Sequence, residues 1–226
     1  LARATVDAES VPGLEDAEFS MLVVSGQPVI ADRTMRWGVG GYGSHAETSV
    51  AQPSTAWYLA EGATIAGFNL FYLIQNPGDV PAEVRVTYLL PSPALPIEKV
   101  YTVGPRSRGN IWVNTEGATL AAAEVSAVIT SSVPVVVERA MYRPAAGAPL
   151  GAGHASAGVP SPSTSWLFAE GATGDYFDLF YLIANPGASA AEVEARYLLP
   201  DGTVLTKSYE VAPRSRFFAA PAHPYA

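Results

Sequence analysis

WYLAEGATIAGFNLFYLIQNPG, residues 57–78, returns as WLFAEGATGDYFDLFYLIANPG, residues 166–187. A stretch of that length recurring at one offset, 109 (166 − 57), marks a duplicated structural unit and organises the rest of the chain. Upstream, AEFSMLVVSGQPVIADRTM (17–35) recurs as AEVSAVITSSVPVVVERAM (123–141) at offset 106 (123 − 17). Downstream, YTVGPRSR (101–108) recurs as YEVAPRSR (209–216) at offset 108 (209 − 101). The offset changes fall in Gly-rich or turn segments, where insertions cost little. The N-terminal LARATVDAE is the counterpart of GNIWVNTE, which follows Arg108, so the repeat content closes on itself after Arg216.

The periodicity inside each copy is that of strands. Val84, Val86 and Tyr88 alternate with Arg85 and Thr87, the two-residue period of a half-buried strand, and residues 192–199 do the same. Residues 68–74 are apolar on both faces, as a central core strand can be. Asn76-Pro77-Gly78-Asp79 and Asp201-Gly202 are turn signals. No capped run of 3.6 periodicity is present; the Ala-rich 116–124 offers at most one short turn. The expected fold is all-β: two tandem β-sandwich units of about seven strands each. In the first unit, strands are expected near 56–61, 68–76, 83–90, 97–103, 109–115, 123–131 and 134–142. With the unit starting at Pro53, residues 1–52 are the back half of a unit, 53–152 a complete one, 153–161 a linker, and 162–226 a front half. That front half then needs residues 1–44, from the same chain or a neighbouring one.

Composition narrows the function. Of 226 residues, 49% are hydrophobic and 15% charged, which favours a buried core over disorder. A net charge of −8 argues against a phosphate-tracking surface, so nucleic acid is not an expected partner. The absence of Cys removes disulfides and Cys-ligated zinc. No apolar run approaches the roughly 20 residues of a membrane helix, and Leu1 in place of Met reads as a processed product or a segment of something longer.

The strings AEGAT (60–64, 169–173), FYLIxNPG (71–78, 180–187), YLLP (88–91, 197–200), VxPRSR (103–108, 211–216) and PVVVERAMY (134–142) together resemble a tandem repeat of large secreted or surface-exposed bacterial proteins, notably of actinobacteria and related lineages. Units of that repeat are Ig-like sandwiches. The resemblance implies an extracellular place and a structural or adhesive role, and brings no catalytic residues. The chain departs from the pattern in that both its ends fall inside a unit.

Candidate chemical residues are few. His45 and His154 stand in matching Gly/Ser-rich loops, and a metal site would need further ligands at suitable spacing. His223 sits in a Pro/Ala tail expected to be mobile. Glu170, Asp175 and Asp178 have the character of calcium ligands, but Ala66 and Asn69 replace the two aspartates in the first copy. Arg33 and Arg139 fall on the apolar side of their strands and need carboxylate partners; Glu61 is expected to pair with Arg139, and Glu170 with Arg33. Trp57, Trp166, Phe71, Phe180, Tyr72 and Tyr181 are expected to be core aromatics rather than a sugar-stacking platform. The pairs Arg106/Arg108 and Arg214/Arg216 are expected to make local salt bridges rather than an anion clamp. No Ser-His-Asp order, P-loop, dinucleotide fingerprint or HExxH helix occurs, so neither an enzyme nor a cofactor is expected.

Two functions follow. The first is a structural subunit of a bacterial filament, sheath or surface layer, assembled head to tail by strand exchange between split units, with itself as partner. The alternative is an adhesin or carbohydrate-binding module for cell-surface glycans, with the loops 37–47 and 143–154 as its recognition surface.

Overall fold

The structure is a computed structural model that describes residues 2–38, 43–145 and 148–219. It is all-β and antiparallel, with three short 3-10 turns as its only helical elements among the described residues. Thirteen strands follow in order: β1 Asp32–Trp37, β2 Gly43–Thr48, β3 Ser54–Leu59, β4 Asn69–Asn76, β5 Ala82–Leu89, β6 Ile97–Val103, β7 Ser107–Trp112, β8 Ser126–Ala145, β9 Ala148–Ala157, β10 Tyr181–Asn185, β11 Ala191–Leu198, β12 Val204–Val211 and β13 Ser215–Ala219.

Strands β3 to β9 build one closed sandwich, and β8 holds it together. The two strands expected over 123–131 and 134–142 are a single 20-residue strand that belongs to both layers. Its first part lies between β3 and β5, with Ile129 opposite both Trp57 and Val86. Its second part lies between β4 and β9, with Arg139 opposite Tyr72 and Ser156. Pro134 stands at the changeover, where a residue without an N–H interrupts the fewest ladder bonds. The inward residues of the two layers, among them Trp57, Val84, Val86, Tyr88 and Ile129 against Leu70, Tyr72, Ile74, Ile111 and Val137, form one continuous core. Among the described residues, every fully buried hydrophobic side chain lies between 57 and 141 except Val211.

Three expectations need correction. The segment 143–154 is a hairpin edge rather than a loop: β9 runs on to Ala157 and Val159 bridges Tyr58, so most of the supposed linker 153–161 is sheet. The counterpart 37–47 likewise contributes to the β1–β2 hairpin. Strand β4 is not apolar-buried on both faces; Leu70, Tyr72 and Ile74 point into the core while Phe71 and Leu73 lie half-covered outside.

The remaining strands form separate hairpins: β1–β2, β10–β13 and β11–β12. Each repeats a pairing of the closed sandwich in the same register. Met35 opposes His45 as Met141 opposes His154. Asn185 opposes Ser215 as Asn76 opposes Ser107, and Ala191 opposes Val211 as Ala82 opposes Val103. Their shared corner explains the NPG and PRS strings. The Asn76 amide donates to the carbonyls of Val80, Val103 and Gly104, and accepts from Gly78; Asn185 does the same with Ser189, Val211, Ala212 and Gly187. Arg106 and Arg214 follow at φ 47° and 50°, each donating its backbone N–H to the corner glycine's carbonyl at 2.9 Å. A local side-chain cap of this kind forms without the rest of the sandwich.

Candidate functional site

The AEGAT string is a clamp on the start of β8. The Gly62 carbonyl accepts from Val125 N–H at 2.8 Å, and a side chain at Gly62 would meet the Val125 carbonyl at 2.8 Å. Thr64 hydroxyl donates to Leu120 O at 2.7 Å and accepts from Ala123 N at 2.8 Å. Glu61, held beside this clamp, meets Arg139 on the second part of β8, Oε2 to Nη1 at 2.6 Å, and its backbone carbonyl takes the same nitrogen at 3.0 Å. The Arg139 side chain is 5% exposed, so this carboxylate neutralises a buried charge. Arg139 also donates to Nδ1 of His154 at 3.1 Å. Burial first, and then the Arg139 charge, hold the His154 imidazole below its ordinary pKa, against the opposing pull of Glu61.

The second AEGAT has no such embrace. Residues 161–178 are exposed, including Glu170, with Trp166 54%, Leu167 94% and Phe168 72% open to solvent. Trp166 is therefore not a core residue within this chain: the Trp57 indole is anchored by donating to the Val135 carbonyl at 2.9 Å, and the strand carrying the equivalent carbonyl is elsewhere. Tyr181 and Phe180 are half-buried, in contact with Phe168 and Phe218 respectively, while Tyr72 and Trp57 are fully enclosed. On β11 the inward Val193, Ala195 and Tyr197 are half-buried where Val84, Val86 and Tyr88 of β5 are fully so. Leu198 is 78% exposed against 1% for Leu89.

The missing element is the counterpart of β8, and its text lies at 20–37. There Met21, Leu22, Val23, Val24, Val29 and Ile30 are 51–93% exposed. Residues 21–31 belong to no strand, with a bend at 26–27, and only their continuation is in a sheet, as β1. One edge of β1 pairs with β2, the role β9 plays for β8; among the described residues the edge corresponding to β4 of the closed unit carries no strand.

The Arg33–Glu170 pairing is corrected in this chain: Arg33 Nη1 bonds Glu138 at 2.8 Å instead, because the β1–β2 hairpin leans on β8 and β9 while 166–178 lies apart. Arg33 Nε and Nη2 are buried without hydrogen-bond partners. The hairpin's docking explains its glycines. Trp37 lies over Gly43 and against Gly153, donates to the Leu150 carbonyl at 2.5 Å, and stands edge-on to Tyr142, whose hydroxyl is 3.1 Å from Nε2 of His45. Burial, and next the Arg33 charge, lower the His45 pKa.

The paired arginines all reach carboxylates, three of them across a junction between copies. Arg106 bonds Asp79 at 2.5 Å; Arg214, whose copy has Ala188 in that place, reaches Glu98 of the first unit at 3.4 Å. Arg108 bonds Glu18 at 2.6 Å, and Arg216 lies 3.4 Å from Glu124. These contacts escaped the sequence reading, although Glu18/Glu124 and Arg108/Arg216 are themselves repeat equivalents. Among the described residues no three His, Asp or Glu side chains converge as a metal site, Glu170, Asp175 and Asp178 included, and no helix is long and apolar enough to cross a membrane. His223 lies outside the described residues.

No family model matches the chain, and no curated protein matches it. Among solved structures it is similar to a Thermotoga maritima protein, 1070, at 18% identity and TM-score 0.43 over 47% of this chain and 94% of that one. It is also similar to an Anabaena sensory rhodopsin transducer at 26% identity and TM-score 0.35, over 40% of this chain and 91% of that one.

Proposed function

We propose that the chain is a structural subunit that assembles head to tail with copies of itself by strand exchange, residues 20–37 of one copy serving as the β8 of the open half, 166–219, of the next. The observation that carries this reading is the pairing of two unfinished surfaces. Every hairpin of a second sandwich is present, and the exposed apolar segment has the text of the strand that joins those hairpins in the first. An exposed apolar edge of this kind is a template for pairing. The contact is heterologous, so repetition gives an open fibre or sheath rather than a closed dimer. Its register follows from the closed unit: Arg85 opposite Thr130 becomes Glu194 opposite Val24, and Glu61 to Arg139 becomes Glu170 to Arg33, filling the buried donors that Arg33 leaves unused. An extracellular place accords with the resemblance of the AEGAT, NPG and ERAMY strings to repeats of secreted bacterial proteins.

The native chain has no Cys, so single cysteines report without background. Chains carrying only Val24→Cys are mixed with chains carrying only Glu194→Cys and oxidised; the Arg85→Cys/Thr130→Cys chain serves as the intrachain control. The expected product is a disulfide heterodimer in excess over either homodimer, with fibres by electron microscopy of the unmodified chain. A sharp monomer peak and no heterodimer would overturn the reading, and an intrachain 24–194 link in the double variant would show closure within one chain instead.

The outer-face stacks favour the adhesive alternative: Phe71 on Trp112 at 5.7 Å and Phe180 on Phe218 at 5.1 Å. Stacked exposed rings are a surface for sugar faces, and a glycan array on disulfide-locked copies decides it by hits lost on Trp112→Ala.

A further inference from the structure

The two ion pairs at the junctions point to a second interface. Glu124 precedes β8 of the closed unit and faces Arg216 of the following half; Glu18 precedes the segment 20–37 and faces Arg108 of the following closed unit. Both pairs therefore join a glutamate of one sandwich to the β7-type strand of the next, by the same repeat positions. At the 124/216 junction both sides are in contact. Arg216 N–H donates to the Leu90 carbonyl at 3.2 Å, Pro91 bridges Arg216 in parallel, and the Arg216 side chain is 1% exposed. At the 18/108 junction only the glutamate side is in place: Glu18 takes Arg108 and Asn110, and the Arg108 side chain is 22% exposed. The YLLP string that supplies Leu90 and Pro91 recurs as 197–200, and there Leu199 is 41% and Leu198 78% exposed.

We infer that Arg108 is the docking point for Leu199 and Pro200 of a second copy, so that successive sandwiches along the assembly, whether closed within one chain or completed between two, are joined by one recurring joint. The inference rests on the strand-exchange reading, since the copy that offers Leu199 is the one whose open half is filled by residues 20–37. A strand-exchanged fibre with this joint has the same unit-to-unit rotation at every step; without it, alternate junctions would differ. Charge agrees with the placement. The buried guanidinium of Arg216 is held below its ordinary pKa by burial and drawn back up by Glu124, and Glu18 supplies the same countercharge to Arg108.

Hydrogen exchange of the unmodified chain, assembled against dilute, reads both contacts at once without a substitution. The expected result is that the amides of 21–25 and 193–198 become protected, and with them the Arg108 amide, at least tenfold, as its N–H finds the Leu199 carbonyl. Protection of 21–25 and 193–198 with Arg108 unchanged would overturn the joint and leave strand exchange standing. No protection at either place would overturn both. As an independent check, Arg108→Glu is expected to remove the protection of the residue-108 amide while the 24–194 disulfide still forms, and Glu18→Arg with Arg108→Glu to restore it; protection of that amide untouched by Arg108→Glu would also overturn the joint.

Discussion

Two stretches of matching sequence, 54–111 and 163–219, reach different states in one chain. The first encloses a core in which Trp57, Tyr72, Tyr88 and Leu89 are sealed; the second leaves Trp166, Leu167 and Leu198 in water. Their hairpins and corners are the same, down to the three carbonyls that each corner asparagine bonds. What separates them is one strand. Two layers of hairpins bury their apolar faces only when β8 passes between them, because it alone pairs in both sheets and brings Val135, Val137 and Arg139 to the Trp57 and Glu61 positions. Local chemistry thus completes hairpins, while a sandwich requires the long-range strand.

The largest break in this comparison is Trp57→Ala against Trp166→Ala. The first should cost about 3–5 kcal/mol by denaturant melting of dilute chains, the range for emptying a core aromatic site, and the second close to nothing. In assembled material the two should become similar, with Trp166→Ala dissolving polymers. Next is Glu61→Gln, expected to cost about 2–3 kcal/mol, below the range of a fully buried pair because Glu61 is partly open to water. Glu170→Gln should leave the dilute melt unchanged and lower assembly, measured by sedimentation, at least tenfold. Asn76→Ala and Asn185→Ala sharpen the comparison from the other side: both corners are formed, so each should lose about 1–3 kcal/mol of local protection at the amides it orders, read by hydrogen exchange at 78 and 187.

The smallest effect is with pH. Folded His45 and His154 are held below the unfolded value of about 6.5, so the unfolded chain binds more protons in the window just below it. The stability they confer is complete above that pH and falls as the pH drops from about 6.5 through the folded values. His154→Gln together with His45→Gln should flatten that slope between pH 6.5 and 5, measured by the melting temperature.

Strand positions, turns and the duplicated register were legible because each rests on neighbours in sequence: alternation on the pleat, and turn residues such as Asn76-Pro77-Gly78; the bonds from Asn76 to the Val103 and Gly104 carbonyls, some 27 residues on, were not. The pairing of Glu61 with Arg139 was reachable by arguing that an arginine on an apolar face needs a carboxylate. Phe71 was misplaced because apolar residues on both sides of a strand do not tell which side the second sheet covers. The hairpin character of 143–157 was hidden because Gly, Ala and Ser carry turn chemistry in sequence, while here they serve to let Trp37 lie against the backbone of Gly43 and Gly153.

By itself the sequence determined that this is a duplicated all-β chain and where its turns fall, since these follow from offset, period and turn chemistry. Only the tertiary structure decided that one 20-residue strand serves both layers, that Arg33 rests on Glu138, and that glutamates 18 and 124 meet arginines 108 and 216. The reason is that partners remote in sequence are chosen by how layers stack and what they bury, and no local pattern records that choice.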